Sequence, residues 1–68
     1  MEKYYVNNNA QSNGDHEVHR ASCVYVPYIV SKKDLGYHDS CRSAVAEAKK
    51  THSRANGCKT CSPSCHTS

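Results

Sequence analysis

Apolar residues fall along this chain in short runs of two different periods. Tyr4-Tyr5-Val6 is aromatic and β-branched, the composition of a short strand. A polar run follows and closes on Asn13-Gly14, a dipeptide favoured in hairpin turns. Asp15-His16-Glu17-Val18-His19 then predicts a returning strand. Alternation would put Asp15, Glu17 and His19 on one face and His16 and Val18 on the other. Cys23 to Val30 is the most apolar stretch, but Pro27 interrupts it, which predicts a short strand followed by extended chain. Ser31-Lys32-Lys33-Asp34 reads as a charged connection and Leu35-Gly36-Tyr37 as a brief return to extended structure.

The period then changes. Cys41, Ala44, Val45 and Ala48 fall at i, i+3, i+4 and i+7, a narrow apolar stripe, while Arg42, Ser43, Glu47 and Lys50 face elsewhere. Three alanines raise helix propensity, Asp39 or Ser40 can cap the start, and Lys49 and Lys50 complement the dipole at the end. The pattern predicts a helix over about 40–50. The expected fold class is α+β: a β-hairpin or three short strands and one helix, in one domain spanning 1–68. Its core covers about 4–63, with 64–68 as an irregular tail.

Composition makes that core thin. Of 68 residues, 37% are apolar, with no Phe or Trp and only Leu35 and Ile29 as large aliphatics. Domains of this size usually need a staple from disulfides, a metal or oligomerisation. Five cysteines and five histidines can supply one. The first residues show no apolar signal-peptide core and no run is long enough to span a bilayer. A cytoplasmic setting is therefore expected, where thiols stay reduced, and an odd cysteine count suits a disulfide framework poorly. A metal is favoured over structural disulfides.

Two pairs have metal-ligand spacing. Cys58-Lys59-Thr60-Cys61 is a CxxC turn preceded by Asn56-Gly57, and His19 and Cys23 form an HxxxC pair upstream. Together His19, Cys23, Cys58 and Cys61 offer the Cys₃His set that a structural Zn²⁺ takes. Cys65, Cys41 and His66 are the alternates. Cys65 can replace Cys23 in a site built on the CxxC turn, and His66 can replace His19. Cys41 lies on the apolar stripe, where a buried small hydrophobe is its ordinary role, and a Cys41–Cys65 disulfide requires an oxidising compartment. His16, His38 and His52 read as turn or surface residues. Cys61 to His66 resembles a stretched haem-attachment motif, but the extra spacer and the lack of an apolar shell for a porphyrin argue against it.

Tyr4-Tyr5-Val6-Asn7, then Val18-His19-Arg20-Ala21-Ser22-Cys23, the Ala-Val-Ala-Glu-Ala-Lys segment and Gly57-Cys58-Lys59-Thr60-Cys61-Ser62-Pro63 follow one another in a familiar order. The layout resembles small Ada-like zinc-binding domains, modules also found attached to bacterial thermonuclease-type and competence-related proteins. The likeness runs over roughly residues 4–63. It implies that His19, Cys23, Cys58 and Cys61 bind zinc. The chain departs from the family pattern in a longer helix-to-CxxC connection, in lacking a Pro before Cys58, and in adding Cys41, Cys65 and His66. Nothing in it identifies the nucleophilic cysteine that alkyl transfer would need.

Charge bears on partners. Nine Lys/Arg against six Asp/Glu give a net charge of +3. Arg42, Lys49, Lys50, Arg54 and Lys59 gather around the helix and the cysteine turn, a patch that can meet phosphates of a nucleic acid. The tyrosines can stack on bases. The alternative is a protein–protein interaction module, with Tyr25-Val26-Pro27-Tyr28 as the contact. An enzyme is not expected: a site with three thiolates is coordinatively closed, and Glu17, the nearest candidate base, reads as a surface carboxylate. A monomer without membrane contact is expected.

Overall fold

The described residues run through four strands and one α-helix. The computed structural model describes residues 1–67; Ser68, the last residue of the expected tail, lies outside the described residues. Strand β1 is Glu2–Asn7, β2 is His16–Arg20, β3 is Lys32–His38 and β4 is Ala55–Gly57, with helix α1 at Cys41–Ala48 between the last two. The sheet order is β3-β1-β2-β4; β1 is antiparallel to both β2 and β3, and β4 lies parallel to β2. This is the expected α+β class with one more strand than the apolar pattern indicates.

Alternation along β1 and β2 separates two faces. Tyr4, Val6 and Val18 are buried together with Leu35 of β3, and Cys41, Ala44 and Ala48 of α1 close over them. The helix stripe is therefore as predicted, and its alanines let the helix axis approach the sheet closely. His19 pairs with Tyr5 in the register, on the opposite face. Val18 and His19 are both buried, one in each of two small cores. Ser40 stands at the helix N-cap, without a side-chain capping bond.

Two segments depart from expectation. Cys23 to Val30 contains no strand; Pro27 lies at the start of a 3₁₀ helix, Val26–Tyr28, because its ring fixes φ and removes the ladder donor. The expected charged connection at Lys32-Lys33-Asp34 is instead the first half of β3, an edge strand that can leave charged side chains in solvent. Since β2 and β3 both oppose β1, residues 21–31 must run back across the sheet, and Val26 of that segment packs against Cys23, Cys58 and Cys61.

The tail is tied down. Thr67 donates through its backbone N–H to Asn56 Oδ1 at 3.0 Å, and His66 Nδ1 donates to the Gly57 carbonyl at 3.0 Å. Cys65 is disulfide-bonded to Cys41 across 24 residues of sequence, pinning the tail to the start of the helix. Cys41 is thus more than the buried small hydrophobe that its position on the stripe suggests.

Gly57 is needed here for space rather than for an unusual backbone angle. A Cβ on it would lie 2.7 Å from Cys65 Cβ and 2.8 Å from Cys65 carbonyl carbon. We expect Gly57→Ala to lose about 1–3 kcal/mol by overpacking, read from urea unfolding; unchanged stability would show that the tail can move off β4.

His16 and His52 stack with ring centres 4.0 Å apart, joining β2 to the turn after the helix. His52 Nε2 donates to Asn8 Oδ1 at 3.1 Å, and His16 Nδ1 to the Asn7 carbonyl at 2.9 Å. Desolvation first, then His16 and Lys33, holds the His52 pKa below its ordinary 6.5. The folded chain therefore binds fewer protons at His52 than the unfolded chain does. This contribution is complete above about pH 6.5 and is lost as pH falls through the lowered value. Thermal melts below neutral pH are expected to fall more steeply for the wild type than for His52→Gln; equal slopes would contradict this.

Candidate metal centre

His19, Cys23, Cys58 and Cys61 come together in one buried cluster, with their ligand atoms all within 4.8 Å of one another. The sheet explains the convergence. The parallel register pairs Val18 with Gly57, so the residues that follow each, His19 and Cys58, emerge side by side. The Cys58 N–H donates to the Val18 carbonyl at 2.9 Å and extends the ladder one step beyond β4. After β2 the chain turns tightly, with the Cys23 N–H donating to the Arg20 carbonyl at 2.9 Å, and this folds Cys23 back over His19. At the other end the Ser62 N–H donates to the Cys58 carbonyl at 2.8 Å and closes the CxxC turn. Val26 packs against the three cysteines from the crossing segment.

The two nitrogen–sulfur distances suit a tetrahedron. Zinc bond lengths imply ligand edges of about 3.5 Å between nitrogen and sulfur and about 3.8 Å between sulfurs. His19 Nδ1 lies 3.5 Å from Cys23 Sγ and 3.8 Å from Cys61 Sγ. The other ring nitrogen, Nε2, is 3.6 Å from Glu17 Oε1. Glu17 thus sits behind the imidazole at ion-pair distance, beyond hydrogen-bond length.

The electrostatics of the cluster pull in two directions. Burial lowers the His19 pKa, with Glu17 opposing, and so favours the neutral imidazole that a metal requires. Burial also pushes the Cys58 and Cys61 thiols up. Against that, the backbone N–H groups of Thr60 and Cys61 point at Cys58 sulfur, and that of Arg20 at Cys61 sulfur. Those donors stabilise negative sulfur, while three buried thiolates without a cation would repel one another. Cys23, Cys58 and Cys61 carry no disulfide.

The alternates are not part of this cluster. Cys41 and Cys65 bond to each other on the helix side of the sheet, and the His66 ring is engaged with Gly57. The spacing could not reveal this, because what excludes them is the tail folding back along β4. The five predicted phosphate contacts do not form a single free patch. Lys50 pairs with Glu47 at 3.1 Å and Arg54 with Asp15 at 3.2 Å. Arg42 and Lys49 border a groove of about 270 Å³ between α1 and the tail, lined also by Val45, Ala46, Ser64 and Cys65. Lys59 is exposed on the CxxC turn. Among the described residues no helix is long and apolar enough to cross a membrane.

No protein-family model, no curated protein and no solved structure matches the chain.

Proposed function

We propose that this protein is a structural zinc module of the Ada-like kind, with one Zn²⁺ held by His19, Cys23, Cys58 and Cys61, and that it binds nucleic acid rather than catalysing a reaction. The observation that carries the metal assignment is the buried cluster of one imidazole and three thiols. Soft sulfur ligands with an imidazole, all within 4.8 Å of one another, favour zinc among the common divalent ions. Four protein ligands leave no open position for a substrate or an activated water. Co²⁺ substitution tests the assignment: a tetrahedral thiolate site gives intense visible absorption, and the weak spectrum of octahedral Co²⁺ would contradict it.

The net charge of +3 supports a nucleic-acid partner. The cations available for it are Arg42 and Lys49 beside the helix and Lys59 on the CxxC turn, since Lys50 and Arg54 are already paired. A protein partner remains the second reading, favoured by the exposure of Val24, Tyr25, Tyr28 and Val30 on the crossing segment. Salt-dependent retention on a phosphate matrix would support the first, and salt-insensitive association the second. The Cys41–Cys65 bond supports a compartment oxidising enough to keep it, against the cytoplasmic expectation.

A further inference from the structure

The metal site occupies the β2 and β4 side of its sheet face, and the crossing segment 21–31 leaves Tyr37 on the β3 side exposed. Alternation along β1 sends Lys3 and Tyr5 to that face, and the register sets Tyr37 of β3 opposite Lys3. Tyr37 is 65% exposed, and Tyr5 is half-buried. Lys3 Nζ lies 6.0 Å from the Tyr5 ring centre and 5.5 Å from that of Tyr37, and Lys32 Nζ is 5.5 Å from the Tyr5 ring. Two tyrosines on adjacent strands thus lie among ammonium groups, beside a rigid metal-held loop.

We propose that the Tyr5–Tyr37 face, flanked by Lys3 and Lys32, is a stacking platform for single-stranded nucleic acid. The platform deepens the nucleic-acid reading above, on which it rests, and moves the contact from the helix to the sheet. Every base has a π-face, so the exposed Tyr37 ring accepts a base with little regard to sequence, the half-buried Tyr5 offers a second edge, and nearby cations follow the backbone. The ammonium-to-ring distances are near the outer limit of a cation–π contact, about 6 Å. A base can therefore displace these ammonium groups, which then turn to phosphates.

Lys3 is partly neutralised by Asp34 at 3.0 Å, whereas Lys32 and Lys33 have no carboxylate partner among the described residues. A duplex keeps its bases inside the stack and cannot lay them on the rings, which singles out a single strand. Strand addition by a second copy at the β3 edge is disfavoured. Lys32 and Lys33 stand on that edge, its ladder is interrupted between Tyr4 and Tyr5, and Gly36 has φ +81°.

The test uses the full zinc-loaded chain and a fluorescein-labelled oligothymidylate of about 15 nucleotides, within the span one small domain covers, beside the matching duplex. Anisotropy is expected to show preference for the single strand and affinity falling with salt. Tyr37→Ala is expected to weaken binding about tenfold, Tyr37→Phe to keep it near wild type, and Lys32→Glu to weaken it. Metal content and circular dichroism establish that these surface variants are folded. Equal affinity of Tyr37→Ala and wild type, or preference for the duplex, would overturn the platform. Loss of binding in Arg42→Glu/Lys49→Glu with Tyr37→Ala intact would place the nucleic acid on the helix instead, overturning the platform alone. Absence of binding to either oligonucleotide would overturn both readings.

Discussion

Cys58→Ser and Cys61→Ser are each expected to unfold the chain. The apolar core is small, with Tyr4, Val6, Val18 and Leu35 facing a helix that contributes mainly Cys41 and alanines. Set against this, structural zinc in small modules contributes an apparent binding free energy of about 10–16 kcal/mol, and that energy is folding energy because the unfolded chain has no assembled site. A serine hydroxyl at either position is a poor zinc ligand and leaves three donors. The loss reaches past the loop itself. Cys58 continues the β2–β4 ladder, and Cys61 begins the segment that carries the tail to Cys65 and Asn56. The expected readout is a collapsed proton–nitrogen NMR spectrum for either variant in chelator. A well-dispersed spectrum would mean that sheet and disulfide suffice without metal.

Opening the Cys41–Cys65 bond has the second-largest expected effect, and one of a different kind. The bond spans a sequence separation of 24 residues, for which the chain-entropy relation gives about 3.5 kcal/mol. Cys41→Ala/Cys65→Ala should lower unfolding free energy by about that amount and still bind one metal per chain, because neither sulfur belongs to the cluster. The tail retains its bonds from Thr67 to Asn56 and from His66 to Gly57, so it should remain docked at moderate temperature. A reductant should lower the wild-type midpoint toward that of the double variant and leave the double variant unmoved. Loss of metal from the double variant would instead draw Cys41 or Cys65 into the ligand set.

These two staples were not equally legible in the sequence. The metal quartet was, because HxxxC and CxxC are local spacings and their chemistry is specific. The strand alternation that separates Val18 from His19 was equally plain, and so was the stripe from Cys41 to Ala48. Strand β4 was not. Ala55-Asn56-Gly57 lacks the β-branched and aromatic residues that mark a strand, and it owes its state to parallel pairing with β2, a contact nearly forty residues away in sequence. The disulfide was hidden for a related reason. Bringing Cys65 to Cys41 depends on the tail lying against β4, and Gly57 permits that close approach. Glu17 was visible as a carboxylate two residues from His19, but its approach to the imidazole depends on the strand placing both on one face.

The central claim is a chain held by one metal and one disulfide in separate places. Native mass spectrometry of protein purified without added metal tests it most directly. The account predicts one zinc per chain and a mass two hydrogens below that of the fully reduced chain, for the single Cys41–Cys65 bond. Acidification should release the zinc with loss of structure and leave the disulfide intact. A folded, metal-free chain with further pairing among Cys23, Cys58 and Cys61 would contradict it, and those sulfurs would then form a disulfide site instead of a metal centre.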